Sequence, residues 1–270
     1  MTPLGSWYRD HGRHDLPWRQ TRDRWAILVS EVMLHQTPVA RVLPAYAAFM
    51  GRFPTPTAAR RAGPGAVIEA WDRLGYPRRA RWLWEAADRI DRDGWPEDLT
   101  DLAGVGRYTA AAVAALADGS DAIGIEVNIR RVCERTTGSR LGERAAETRA
   151  AELADGLTGR DRLLALMDLG ALVCTARQPR CGECPLADAC ASRGPLAEET
   201  RHRQARYEGS FRQRRGAVLA RLRAGAVPAV EIDGEALASL IADGLAEVTR
   251  GRAHLPQSPG SSPGGRARRR

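Results

Sequence analysis

The sequence predicts an all-α protein: two helical lobes with a metal-binding loop, then a small winged-helix-like module. Three observations carry this. Apolar residues recur at helical spacing through residues 1–195, with no convincing strand pattern. Four cysteines then crowd into the stretch from Cys174 to Cys190. After Gly194 the chain turns polar and basic, and only short helix-like and strand-like runs follow. The expected organisation is a core over 1–195, built from a lobe at 25–128 and a lobe joining 1–24 to 129–195. A basic winged-helix-like module over 196–255 and a disordered basic tail over 256–270 complete it.

The elements follow in order. Residues 1–24 give a short helix and the loop LPWRQTRD. Trp25 to Gln36 is apolar at helical spacing and carries Glu31 inside it. A helical Glu more often turns to the surface, and periodicity alone favours that fate here. Prolines at 44, 54, 56 and 64 punctuate short helices. Amphipathic helices are expected at 65–74 and 81–90, joined by the turn LGYPRRA. A short helix ending near Ala103, the turn Gly104-Val105-Gly106 and an Ala-rich helix from Arg107 make a helix–hairpin–helix. Its two glycines let the backbone turn tightly and expose N–H groups at a helix start, where a phosphate can dock without sequence preference. Residues 123–136 start extended and become a helix; 143–156 and 160–173 are further helices. Beyond them, helices at 216–223 and 235–243 precede a two-stranded wing, Leu245–Val248 with His254–Leu255.

Composition bounds the function classes. The chain has 270 residues, enough for a sizeable core, and a net charge of +8. All 41 basic residues are Arg, and no Lys occurs anywhere. Such a balance suits a polyanionic partner; a solvated basic surface is the plainer alternative. No apolar run reaches membrane-span length, so a soluble cytoplasmic protein is expected.

The cysteines are spaced C-x6-C-x2-C-x5-C at Cys174, Cys181, Cys184 and Cys190, with Cys133 left over. The odd count, and no secretory h-region after Met1, speak against disulfides. A structural zinc usually shows two tight pairs, and only one is present. An iron–sulfur cluster tolerates looser outer spacing, and Pro179 and Pro185 suit a compact loop around it. Spacing alone leaves zinc as the alternative.

In order, LPWRQTRD, SEVMLHQT, LGYPRRA, LAGVGRYTA, the Asn128 segment, MDLGALVC and the four-Cys loop resemble the helix–hairpin–helix DNA glycosylases across residues 4–191. The MutY-type adenine DNA glycosylases are the nearest pattern, ahead of endonuclease III. The resemblance implies a [4Fe–4S] cluster on the four cysteines and a double-stranded DNA partner carrying a mismatch or damaged base. It implies a monomer acting at the nucleoid, hydrolysing adenine from DNA opposite 8-oxoguanine or guanine. Glu31 matches the general acid, and Glu126 falls where the family has an Asp that steadies the sugar cation. Tyr108 and Asn128 match residues lining the cleavage site. Gln36 matches a wedge in the base stack, and Tyr76 a probe beside the oxidised guanine. Gly104, Gly106, Arg107 and Arg19 are further DNA-binding candidates.

The chemistry stands without the name. Adenine leaves poorly as an anion, so an acid must protonate it, and the oxocarbenium-like sugar needs a second carboxylate. The base must first be flipped from the stack. Four departures from the family pattern bear on this. Glu126 replaces Asp, His35 replaces the first Gln of a pair, and Ala103 replaces the hairpin Pro. The C-terminal domain that reads 8-oxoguanine has no visible counterpart. They keep two alternatives open: a same-fold glycosylase for thymine or uracil in a G mismatch or a modified pyrimidine, and a non-catalytic iron–sulfur DNA-binding protein.

Overall fold

Short polar caps and prolines set the helix starts. Thr2, Thr55, Ser210 and Asp233 each accept a backbone N–H of the first turn of their helix. Pro3, Pro56 and Pro64 open three helices, where their missing N–H costs nothing. The structure, a computed structural model, describes residues 2–197 and 206–257. Its helices are α1 (Pro3–His11), α2 (Arg24–Leu34), α3 (Val39–Arg52), α4 (Pro56–Ala62), α5 (Pro64–Trp71) and α6 (Arg78–Asp93). Then come α7 (Arg107–Asp118), α8 (Val127–Thr137), α9 (Glu143–Leu153), α10 (Gly159–Asp168), α11 (Phe211–Ala224) and α12 (Gly234–Ala242). No strand occurs before residue 227 among the described residues, so the all-α expectation for the core holds.

The chain folds as two compact units, Met1–Glu31 with Val105–Arg203 and Val32–Gly104 with Gln204–Arg270. These divisions replace the expected lobes 25–128 and 1–24 with 129–195. The reason lies in packing: α7, α8 and α1 all pack on α10, while α4 and α5 pack on α6. Glu31 and Glu126 therefore lie in the unit that carries the cysteine loop, rather than at the two ends of one lobe.

The first unit buries Leu4, Trp18, Trp25, Ile27, Leu116, Ile129, Leu163 and Leu166. At the end of α10 a π-turn over Leu169–Val173 leads into Cys174. The expected helix 160–173 thus ends early and widens, which lets Gly170 close on α8. A Cβ on Gly170 would sit 2.7 Å from the Asn128 backbone oxygen. The second unit buries Phe49, Ile68, Trp71 and Leu83, and holds the C-terminal module through Arg78 to Asp243.

That module differs from expectation in detail. The first helix starts at Phe211 instead of 216, because Ser210 caps Gln213 within a basic stretch that hides any apolar stripe. A third strand appears. Strands β1 (Val227–Pro228), β2 (Glu247–Thr249) and β3 (Arg252–His254) form an antiparallel sheet in the order β1-β3-β2. The two-residue β1 is too short for an alternating pattern to reveal. The tail expected at 256–270 lies, beyond residue 257, outside the described residues.

Candidate active site

Glu31 is buried, with 3 % of its surface exposed, and the outward alternative fails. Every residue from Trp25 to Met33 is buried, so α2 has no polar face there to which Glu31 could turn. Burial pushes its carboxyl up to about 7, and the negative charge of Glu126 adds to the rise. A hydrogen bond from the Tyr108 hydroxyl and the charge of Arg19 work the other way. Tyr108 stands on the first turn of α7, just past the hairpin, its oxygen 3.6 Å from Met167 Sδ. Burial, then Glu31 and Glu126, hold its phenol well above the ordinary range.

Glu126 is the N-cap of α8. Its Oε1 accepts the Ile129 N–H at 2.8 Å and its Oε2 accepts Asn128 Nδ2 at 2.9 Å. The longer side chain still reaches the cap, so Glu in place of Asp leaves the carboxylate anchored. Burial raises its pKa, opposed by the bonds from Asn128 and Ile129 and by Arg131. The structure therefore brings Glu31, Tyr108, Glu126 and Asn128 together in one unit.

Three residues that the sequence reading left without a role support this group. Arg131 donates to Asn128 Oδ1 at 2.7 Å, to the Gly170 carbonyl at 2.6 Å and to the Cys174 carbonyl at 2.7 Å. Asp168, wholly buried, accepts Arg19 Nη1 at 2.6 Å and Nη2 at 2.8 Å, and Arg13 Nη2 at 2.5 Å. These partners lie far apart in the chain, and nothing local signals them. The pair also corrects the placing of Arg19 among DNA contacts. Its side chain is 4 % exposed and its fork is spent on Asp168. Burial works against its charge, but Asp168 outweighs it and holds Arg19 above its ordinary value. The guanidinium is a fixed charge that acts on Glu31.

The second unit holds Gln36 and Tyr76. Both are exposed, and both adopt the left-handed backbone, at φ 53° and 47°. Arg79 clamps their two loops and was also missed. Its Nη1 donates to the carbonyls of Val32 at 2.8 Å and His35 at 2.6 Å. Its Nη2 donates to Thr37 Oγ1 and the Gly75 carbonyl, each at 3.1 Å. The guanidinium stacks 5.2 Å from Trp71 and 5.3 Å from Tyr76, and burial pulls its pKa down to about 10. In the hairpin, Gly104 has φ 73°, and a Cβ there would meet Trp82 at 2.9 Å. Gly106 caps α7, and Arg107 after it is exposed.

Cys174, Cys181, Cys184 and Cys190 line one hollow together with Val132, Arg135 and Leu169. Arg135 Nη1 lies 3.5 Å from Cys174 Sγ, and Arg135 is fully buried. Among the described residues no three side chains converge as ligands of one metal ion. Four thiols around one hollow are a donor set that fits an iron–sulfur cluster. These four cysteines would hold the cluster, which ties the loop to α8 and α10.

The comparisons agree with this geometry. The profile of the HhH-GPD superfamily base excision DNA repair proteins matches residues 29–154. That of the iron–sulfur binding domain of endonuclease III matches 174–190. Fold and site thus define a helix–hairpin–helix DNA glycosylase carrying a [4Fe–4S] cluster. The adenine DNA glycosylase of Mycolicibacterium smegmatis is 42 % identical over 91 % of this chain and 92 % of its own. That of Mycobacterium tuberculosis is 43 % identical, covering 94 % and 93 %. A solved thermostable thymine-DNA glycosylase superposes at a TM-score of 0.64, with 30 % identity over 70 % of this chain and 92 % of its own. The chain belongs to the adenine DNA glycosylase family of the HhH-GPD superfamily. No helix among the described residues is long and apolar enough to cross a membrane.

Proposed function

We propose that the protein is a monofunctional, monomeric glycosylase of the nucleoid that removes adenine mispaired with 8-oxoguanine or guanine. The observation that carries this is a buried Glu31 with its pKa near 7, hydrogen-bonded by Tyr108 beside the capped carboxylate of Glu126. A carboxyl near 7 still holds its proton at working pH and can give it to the departing purine. Glu126, held by Asn128 and the α8 N-terminus, faces the cation left on the sugar. Water completes the hydrolysis. With no Lys in the chain, no lysine Schiff base forms and the strand stays intact at the abasic site. Gln36 and Tyr76 enter the base stack from their clamped loops, and the N–H groups at Gly106 and Arg107 take a phosphate.

Duplexes carrying adenine opposite 8-oxoguanine, guanine or thymine, followed by alkali, test the reading: breaks at the first two support it, and no break sinks it. A second reading, thymine excised from a G mismatch, is favoured by the likeness to the thymine-DNA glycosylase and by Glu in place of Asp. Glu126→Asp separates the two. Faster adenine removal marks Glu126 as a handicap on the adenine reaction, and loss of thymine removal marks it as part of the other.

A further inference from the structure

We propose that the β2–β3 hairpin of the C-terminal module grips the DNA backbone through Arg250 at its tip. The module runs helix, strand, 3-10 turn, helix, strand, strand, with the sheet order β1-β3-β2. That is the winged-helix arrangement, in which β2–β3 is the wing. Thr249 pairs with Arg252, so Arg250 and Gly251 alone make the turn. Their φ values are 51° and 74°, the double positive pattern of the tightest hairpin turns. Asn, Asp or Gly takes the first of these positions readily; a long side chain is strained there. An Arg that breaks the local rule at an exposed tip points to a use outside the fold.

The module's charge distribution gives the use. Three of its arginines are spent on its acids. Arg214 pairs with Asp233 at 2.9 Å and Glu235 at 2.6 Å, Arg215 with Asp243 at 2.5 Å, and Arg221 with Glu231 at 3.7 Å. The exposed side chains of α12, where winged-helix proteins commonly place their reading helix, are Glu235, Ala238, Ile241 and Ala242, with no base among them. That face is unsuited to a polyanion. At the wing, Arg250 and Arg252 are exposed and pair with no acid among the described residues; Arg252 donates to the Ala226 carbonyl, which leaves Arg250 as the charge at the tip. Arg250 thus presents a positive charge at the tip of a narrow hairpin, where a phosphate chain can reach it. The contact is to phosphate, so it carries affinity and not sequence choice.

The test is binding of the full-length protein, cluster intact, to a short undamaged duplex over a range of salt. Arg250→Asn removes the charge and supplies a residue suited to the turn. Its thermal midpoint is expected to match or exceed the parent's, while affinity falls and the slope of log K against log salt becomes shallower by about 0.9. Arg250→Lys keeps the charge and is expected to keep the slope. An Asn variant with the parent's affinity and slope overturns the proposal. A drop in both midpoint and affinity also overturns it, since Arg250 would then serve the fold. Base excision is scored separately on the parent: a parent that removes no base sinks the proposed activity and leaves the salt slope readable.

Discussion

At the residue scale the decisive group is Glu31. Its carboxyl is raised from 4.5 to about 7 because it is buried. The folded protein therefore takes up a proton that the unfolded chain would have released. The stability this contributes is complete below about pH 4.5 and is lost as the pH rises through about 7. Glu31→Gln should abolish base removal and raise the thermal midpoint, more at pH 8 than at pH 5. An equal shift at both pH values would remove the buried-charge argument. The same proton predicts a single-turnover rate that falls as the pH climbs past about 7. Glu126 is coupled to Glu31, so the fall belongs to the pair. A rate that keeps rising with pH would exclude Glu31 as the acid. Glu126 keeps its carboxylate anchored at the α8 N-cap despite the extra methylene, reaching two donors on that turn at 2.8 and 2.9 Å.

At the element scale the Arg79 clamp stands out. One guanidinium, 6 % exposed, joins the end of α2, the loop after it and the turn before α6. Two non-glycine residues in left-handed backbone lie in the loops it joins. Strain of this kind persists only where surrounding contacts over-determine it. Arg79→Ala leaves several carbonyls without their donor and should cost about 2–4 kcal/mol of stability. Arg79→Lys cannot span the same acceptors with a single ammonium and should recover only part. Chemical denaturation reads the cost, and titration of duplex DNA reads the loops. If Arg79→Ala matched the parent in both, the loops would not depend on the clamp. The hairpin and α7 were legible from Gly104 and Gly106. The Arg79 contacts were not, because they join residues about forty positions apart that no local pattern relates.

At the scale of the whole molecule, metal and charge dominate. Prepared without oxygen, the protein should be yellow-brown with about four irons per chain. Cys184→Ser should lose iron and soluble yield together, because the loop would no longer be tied around its hollow. A colourless, zinc-loaded protein of full activity would overturn the cluster. The net charge of +8, all of it carried by Arg, offers DNA a surface with strong salt dependence. A small part of the Arg complement is internal in use: Arg19, Arg79 and Arg135 are each buried and hydrogen-bonded within the fold.

Local spacing and short motifs in the sequence determined the helical class, the four clustered cysteines and the hairpin. The four residues that meet at the carboxylate site were singled out only by the resemblance to the helix–hairpin–helix glycosylases, since no local pattern marks them. A small C-terminal module of two helices and a hairpin was legible, but not its third strand or the start of α11, where a capped basic run masks its apolar side. Only the tertiary structure decided that Glu31 is buried. The helix that carries it is enclosed on every side, and periodicity within one helix cannot report what packs around it. The tertiary structure also moved Arg19 from the surface to Asp168 and set both carboxylates in the unit that holds the cysteine loop. Long-range pairing fixed these points. A buried charge must find its partner wherever the fold brings one, and sequence distance carries no record of that meeting.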